Sequence, residues 1–176
     1  MIVSRSNYGL CLLALALTLA LVGAGWAQTA TPASPEQANH YRQAVSLLEQ
    51  AEAQLTAANL SAALSLVKQS NEKFTLLQKE CAAVLAERQL SSQEAQQLAI
   101  NQKLAADAQA QADQLLSTAA AKKKEGQELQ ARGQAEAGDA ALREAGKGYL
   151  QSQTLSIKSA IYALRNQQII FRFLAP

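Results

Sequence analysis

The sequence has few of the side chains that most often build active sites and metal centres. Its 176 residues include one histidine, His40, and two cysteines, Cys11 and Cys81. A structural zinc site needs about four Cys, His or carboxylate ligands, and covalent haem attachment needs a Cys-x-x-Cys-His run. The sequence also shows no glycine-rich phosphate loop, Ser-His-Asp set or nucleophile elbow. We therefore predict a protein that is not an enzyme and holds no metal or cofactor.

Proline and aromatic residues are scarce as well, with three prolines and 5% aromatics. Abundant Ala, Gln, Leu, Glu and Lys favour helices, and the sequence offers few β-branched and aromatic residues for a sheet. The composition predicts an all-α protein. We interpret residues 35–176 as one domain, an up-down four-helix bundle of antiparallel coiled-coil hairpins.

The first 27 residues have the pattern of a secretory signal peptide. Arg5 supplies a positive charge, the run from Leu10 to Val22 is apolar apart from one threonine, and small residues precede a cleavage site after Ala27. This apolar run is short against the ~20 residues of a membrane span, although an uncleaved N-terminal anchor is the alternative. Residues 28–34 then read as a flexible linker, and the mature protein is expected to be extracytoplasmic, either periplasmic or secreted.

Helix-capping signals divide the domain. Ser34 followed by Pro35 is a strong helix start, and Ser91 with Glu94 forms the S-x-x-E pattern of a capping box. Asn59 is a plausible helix stop. Four helices are predicted, at residues 35–58, 60–89, 92–136 and 139–174. The alternative is that the second and third helices form one continuous helix.

Apolar residues recur at helical spacing in each segment. The first seam is Tyr41, Ala44, Leu48, Ala51, Leu55 and Ala58. The second is Leu60, Ala63, Val67, Ser70, Phe74, Leu77, Cys81 and Val84. The third is thin and alanine-rich, with Ala95, Leu98, Ala105, Ala112, Leu116 and Ala119, and the fourth is Leu150, Thr154, Ile157, Ile161, Leu164, Gln168, Phe171 and Ala175. Because Cys81 falls on a seam, we interpret it as a buried hydrophobe, with an intermolecular disulfide as the alternative.

The stretch from Leu55 to Val67, with its Asn turn followed by Ala-Ala-Leu, resembles the inner turn of a tetratricopeptide helix pair. The resemblance covers about one motif. No second copy follows at the ~34-residue period of that repeat.

The third and fourth predicted helices form the longest hairpin, with a turn placed at Ala137-Gly138-Asp139. This turn pairs residues whose numbers add up to 275, so that large side chains face glycines. The predicted helix-helix contacts are Gly126 with Tyr149, Leu129 with Gly146, and Gly133 with Leu142. Since the second helix reaches back only to about residue 120 of the third, residues 121–148 should protrude as a two-helix arm of roughly 25 Å.

Charged residues offer two weaker candidate sites. A carboxylate-only metal cluster of Glu80, Glu87 and Glu94 is conceivable, because these residues are seven apart. The predicted turn lies between the last two, so we interpret them as a solvated acidic face. Lys158, Arg165 and Arg172 form a basic stripe on the fourth helix beside its apolar face. Such a stripe can bind an anionic membrane surface, or it can face water while the apolar side is buried.

These features favour an exported, non-enzymatic interaction or scaffold protein of the cell envelope, which binds a protein partner or itself through the protruding hairpin. The alternative is a binder of membrane surfaces or anionic lipids that acts through the basic stripe. Nucleic acid is not expected as a partner outside the cytoplasm.

Overall fold

The computed structural model describes residues 34–175, and this part of the chain is helical throughout, without strands. The helices are α1 (Pro35–Thr56), α2 (Leu60–Glu80), α3 (Ala82–Glu87), α4 (Ser92–Ala131) and α5 (Ala135–Ile170), followed by a 3-10 turn at Arg172–Leu174. The all-α prediction is confirmed. The predicted signal peptide, residues 1–27, and most of the predicted linker lie outside the described residues.

Two predicted helix starts are confirmed in atomic detail. At α1 the backbone N–H of Gln37 donates to Ser34 Oγ over 3.1 Å, and Gln37 Oε1 accepts from the Ser34 backbone over 3.0 Å. At α4 the N–H of Glu94 donates to Ser91 Oγ over 3.2 Å, and Glu94 Oε2 accepts from the Ser91 backbone over 3.0 Å. Both are reciprocal capping boxes, which satisfy backbone donors that the first turn leaves free. The second and third predicted helices are therefore separate.

Two local details differ from the prediction. The helix expected over residues 60–89 is interrupted at Cys81, where α2 ends and the short α3 follows. In the preceding turn the left-handed residue is Ala58, with φ 59°, and Asn59 instead caps α2 by accepting from Ala62 N–H. The helix stop was predicted at Asn59 because asparagine tolerates the left-handed conformation better than most residues.

The hydrophobic core lies where α1, α2 and the C-terminal part of α5 meet. Its buried members are Tyr41, Ala44, Leu48, Ala51, Ala63, Val67, Phe74, Leu77, Cys81, Ile157, Ile161, Leu164, Phe171 and Leu174. This set confirms most of the first two predicted seams and, of the fourth, Ile157, Ile161, Leu164 and Phe171. Ile157 is the first α5 residue in the core, and α4 contributes none of these side chains.

Helix α4 packs against α5 alone among the described helices. The expected shielding of this helix by α2 is therefore wrong, and an up-down four-helix bundle is not confirmed. Instead α5 lies between α4 on one side and the α1–α2 hairpin on the other. Helical periodicity explains this arrangement, because Ser152 and Ser159 of α5 bond to α4 while Ile157 and Ile161 project from the opposite side towards α1 and α2.

The two hairpins have the same turn, 75 residues apart. Ala57 and Arg132 end the first helix with φ −77° and −88°, and Ala58 and Gly133 follow in the left-handed region with φ 59° and 77°. The closing bonds also correspond, since Asn59 N–H donates to Gln54 O over 2.9 Å and Gln134 N–H donates to Leu129 O over 3.0 Å. The α1–α2 hairpin therefore has a second structural copy, at a spacing far longer than the ~34 residues of a tetratricopeptide repeat.

Candidate interaction surface of the α4–α5 hairpin

Small residues line the contact between α4 and α5 at intervals of seven. On α4 they are Ala105, Ala112, Ala119 and Gly126, and on α5 they are Gly138, Ala145, Ser152 and Ser159. Ser152 Oγ donates to Ala112 O and Ser159 Oγ donates to Ala105 O, each over 2.8 Å. A heptad of small residues lets the two backbones approach closely, so that a serine on one helix reaches a carbonyl oxygen on the other. The sequence analysis missed this double heptad, although its period is visible in the sequence.

The structure corrects the predicted register of this hairpin. The turn lies at Arg132, Gly133 and Gln134, while Gly138 is inside α5. Gly126 faces Gly138, because a Cβ on Gly126 would lie 2.9 Å from Gly138 O. Facing residues therefore have numbers that add up to about 264, and the predicted sum of 275 is wrong. The error came from assigning the turn to the Gly138 segment, when Gly133 takes the positive φ.

The predicted contact residues have different partners from those expected. Gly126 is a contact glycine, but a Cβ there would lie 2.8 Å from Cγ of Leu142, where Tyr149 was expected. Gly133 occupies the turn, and Gly146 is exposed, with no neighbour within 4 Å of the position that a methyl group would take. Neither of these two glycines accommodates a side chain of the opposite helix. Leu129, Leu142 and Tyr149 are each partly buried.

Large apolar side chains are exposed on both helices of the hairpin. Leu116 of α4 is 48% exposed, and Leu150 of α5 is 58% exposed although it begins the predicted fourth seam. Leu150 continues the α5 face that carries Ile157 and Ile161, but it precedes the part of α5 that packs on α1 and α2. Ile100 and Leu104 of α4 are also exposed, at 45% and 39%. Soluble proteins tolerate single exposed leucines, and a contiguous apolar patch is what marks a contact surface. These four residues are therefore candidate contact residues.

The basic stripe is partly occupied within the protein. Arg165 donates through Nε to Glu52 Oε1 over 2.9 Å, and a second bond joins its Nη2 to the same carboxylate. Its Nη1 donates to Gln168 Oε1 over 2.7 Å. Lys158 lies over the Tyr162 ring, with Nζ 5.9 Å from the ring centroid, and Arg172 is exposed. The middle charge of the stripe thus attaches α5 to α1.

Arg88, which follows α3, connects the start of α4 with the end of α5. Arg88 Nη2 donates to Glu94 Oε1 over 2.7 Å, Nη1 donates to Ile169 O over 3.2 Å, and its guanidinium lies 5.3 Å from the centroid of the Phe173 ring. The backbone hydrogen bond from Ser91, together with the nearby guanidinium of Arg88, lowers the pKa of Glu94. These contacts hold the start of α4 beside the end of α5.

Cys81 is buried, with 2% of its surface exposed, as the first interpretation expected. Burial, with a smaller contribution from the charge of Glu80, raises the pKa of its thiol. A buried thiol with a raised pKa is poorly nucleophilic at neutral pH, because the thiolate is the reactive form. The described surroundings of Cys81 therefore fit a packing role.

The three glutamates considered as a carboxylate cluster do not form one. Glu80 Oε2 lies 3.4 Å from His40 Nδ1, and Glu94 is paired with Arg88. Within residues 34–175 no three His, Cys, Asp or Glu side chains are grouped closely enough to hold a metal ion. The same part of the chain has no helix that is both long and apolar enough to span a membrane. Comparison of the chain with models of known protein families, with curated proteins and with solved structures found no match.

Proposed function

We propose that this protein is exported and acts as a non-enzymatic helical interaction or scaffold protein, with the α4–α5 hairpin as its contact surface. In this proposal the arm is longer than the predicted residues 121–148 and comprises residues 108–156. It protrudes from the core and contacts a protein partner or a second copy of the chain. The observation that carries the proposal is the position of the core, which α5 enters only at Ile157. Residues 135–156 form a helix of about 33 Å before that point.

The composition of the arm supports a contact role. Its seam consists of Ala, Gly and Ser, which permit close approach but remove little apolar surface from water. Leu116 and Leu150 nevertheless remain exposed outside this seam. Apolar side chains in such positions do not stabilise the isolated hairpin, and burial against another protein would remove them from water.

Site-specific photocrosslinking in the native cell tests this proposal. A photoreactive residue at Leu150 should give a discrete crosslinked product, and the matched control is Leu76, an exposed leucine of α2. Mass spectrometry of the product would show whether the partner is another protein or the same chain. Equal crosslinking from positions 150 and 76, or none from position 150, would contradict a contact role for the arm.

Export and the membrane alternative have separate tests. Intact-mass analysis should find a mature chain that begins at Gln28, and retention of residues 1–24 would contradict signal removal. Salt-sensitive co-sedimentation with anionic vesicles, lost when Lys158, Arg165 and Arg172 are changed to Gln, would support the membrane-surface alternative. The bonds between Arg165 and Glu52 weigh against it, because they engage the central charge of the stripe.

A further inference from the structure

One face of the α1–α2 hairpin is covered by α5. The same face of its structural copy, the α4–α5 hairpin, is not covered by another helix of the described chain. In the first hairpin Tyr41, Leu48 and Phe74 pack in the core with α5. The residues 75 positions later are Leu116, Lys123 and Tyr149. Because the two turns and the spacing of the helix contacts correspond, these three residues flank the α4–α5 contact as Tyr41, Leu48 and Phe74 flank the α1–α2 contact. Leu116 is 48% exposed, whereas Tyr41 is 7% exposed.

The helix that covers the first hairpin shows what this face fits. It is α5, which presents Ile157, Ile161 and Leu164 at positions i, i+4 and i+7. The exposed side of α4 has a strip with the same spacing, formed by Ile100, Leu104 and Asp107. We refer to these three residues as the α4 strip. In a second copy Ile157, Ile161 and Leu164 are buried in that copy's own core and cannot bind this face. The α4 strip of the second copy is exposed and can bind it.

The arm face and the α4 strip each differ from their counterparts in the core by one charged residue, and these two charges are opposite. Lys123 replaces Leu48 on the hairpin face, and Asp107 replaces Leu164 on the strip. Lys122 and Lys124 on either side have carboxylate partners, Glu125 and Glu128. In the described part of the chain neither Lys123 nor Asp107 has an opposite charge within 4.0 Å. Tyr41 Oη donates to Gln168 O and Arg165 Nε donates to Glu52 Oε1, so α1 and α5 run antiparallel with Leu48 near the level of Leu164. A strip docked in the same way would bring Asp107 near Lys123.

We propose that the arm face lined by Leu116, Lys123, Leu142 and Tyr149 binds the α4 strip of a second copy of this chain, with Asp107 paired to Lys123. This inference rests on the proposed contact role of the arm and names the occupant. The face and the strip lie on opposite sides of α4, because Leu116 and Leu104 flank the buried seam from different directions. The contact is therefore heterologous, and it links copies head to tail.

Analytical ultracentrifugation of the mature chain and of variants with reversed charges at positions 123 and 107 tests this inference. The unchanged protein should sediment as a concentration-dependent series of oligomers. Lys123→Asp and Asp107→Lys should each weaken association about ten-fold or more, since each places like charges at the contact. Both residues are exposed, so neither change should disturb folding.

Combining the two changes makes the test specific. A mixture of the two single variants should recover the series as chains in which the variants alternate, because each variant's face is opposite in charge to the other variant's strip. The variant with both changes should recover the whole series. The matched control is Lys68→Asp, an exposed position on α2 with the same change in charge.

Two outcomes overturn the inference. The first is a monomer at every concentration up to about 1 mM, since a specific contact would show itself by then. The second is an oligomer whose affinity is the same in all charge variants. A monomeric chain that still crosslinks through Leu150 to another protein would overturn this inference and leave the proposed contact role intact.

Discussion

The two hairpins share a turn and a seam spacing but differ in what lies beside the seam. Beside the α1–α2 contact, Leu48 and Phe74 pack against α5 and join the core. Beside the α4–α5 contact, the equivalent positions hold Lys123, which is exposed, and Tyr149, which is partly buried. The turn and the small residues between the two helices fix the geometry of such a hairpin, whereas its stability depends on whether a third helix covers it. The arm should therefore be the less stable part of the domain.

The largest expected effect separates the two hairpins directly. Phe74 is 1% exposed and stacks on Phe171 with ring centroids 6.0 Å apart, so Phe74→Ala should lower the free energy of unfolding by about 3–5 kcal/mol. Tyr149→Ala, at the equivalent position of the arm, should lower it by about 1 kcal/mol or less, because this side chain remains partly in water. Chemical denaturation measures both, and equal losses would mean that the arm is as fully packed as the core.

The next effect distinguishes contact glycines from free ones. A methyl group at Gly126 would lie 2.8 Å from Leu142 Cγ and 2.9 Å from Gly138 O, so Gly126→Ala should destabilise the arm by about 1–3 kcal/mol. At Gly146 nothing lies within 4 Å, and Gly146→Ala should stabilise the helix by up to about 1 kcal/mol. Hydrogen exchange across residues 121–148 reports this local change. Slower exchange in Gly126→Ala would show that the observed register is wrong.

A smaller effect compares the two turns. Ala58 and Gly133 both have positive φ, a conformation that disfavours alanine by roughly 1–2 kcal/mol and leaves glycine unstrained. Ala58→Gly should therefore stabilise the protein by about 0.5–1 kcal/mol, after the greater freedom of glycine in the unfolded chain is subtracted. Gly133→Ala should destabilise the arm by about 1 kcal/mol. Thermal melts and local hydrogen exchange measure these changes, and a shift of the same sign in both variants would contradict the equivalence of the turns.

The smallest effect is a response to acid at the start of α4. The pKa of Glu94 is lowered by the Ser91 backbone hydrogen bond and by Arg88, so its contribution is complete above the ordinary value of 4.5. As the pH falls through the lowered pKa, the carboxylate is protonated and this stabilisation is lost. Amide exchange in the first turn of α4 should quicken there relative to that of α1. Glu94→Gln should remove the difference, because glutamine has no charge to titrate.

Several features were predictable because they depend on neighbouring residues only. The start of α1 was predicted from Ser34 followed by Pro35, and the start of α4 from the glutamate three residues after Ser91. The α1 and α2 seams were also largely correct, since large apolar residues at helical spacing leave one possible buried face. Cys81 was assigned to the buried face for the same reason.

The candidate surface was predicted less well than the fold. Leu142 and Gly126 were correctly placed in the hairpin contact, but each was given the wrong partner. A long alanine-rich helix has no single apolar face, and the sequence alone therefore left its register undetermined. The seven-residue recurrence from Ala105 to Gly126 would have fixed the register, had small residues been followed instead of large ones.

By itself the sequence determined that the described chain is helical, where α1 and α4 begin, and which face of α2 is buried. Only the tertiary structure decided the role of each glycine. Gly133 takes a positive φ in the turn, Gly126 allows the two helices to approach closely, and Gly146 does neither. The tertiary structure also decided that α4 contacts α5 alone among the described helices. Whether a helix face is covered depends on the path of segments distant in the sequence, which local patterns do not specify.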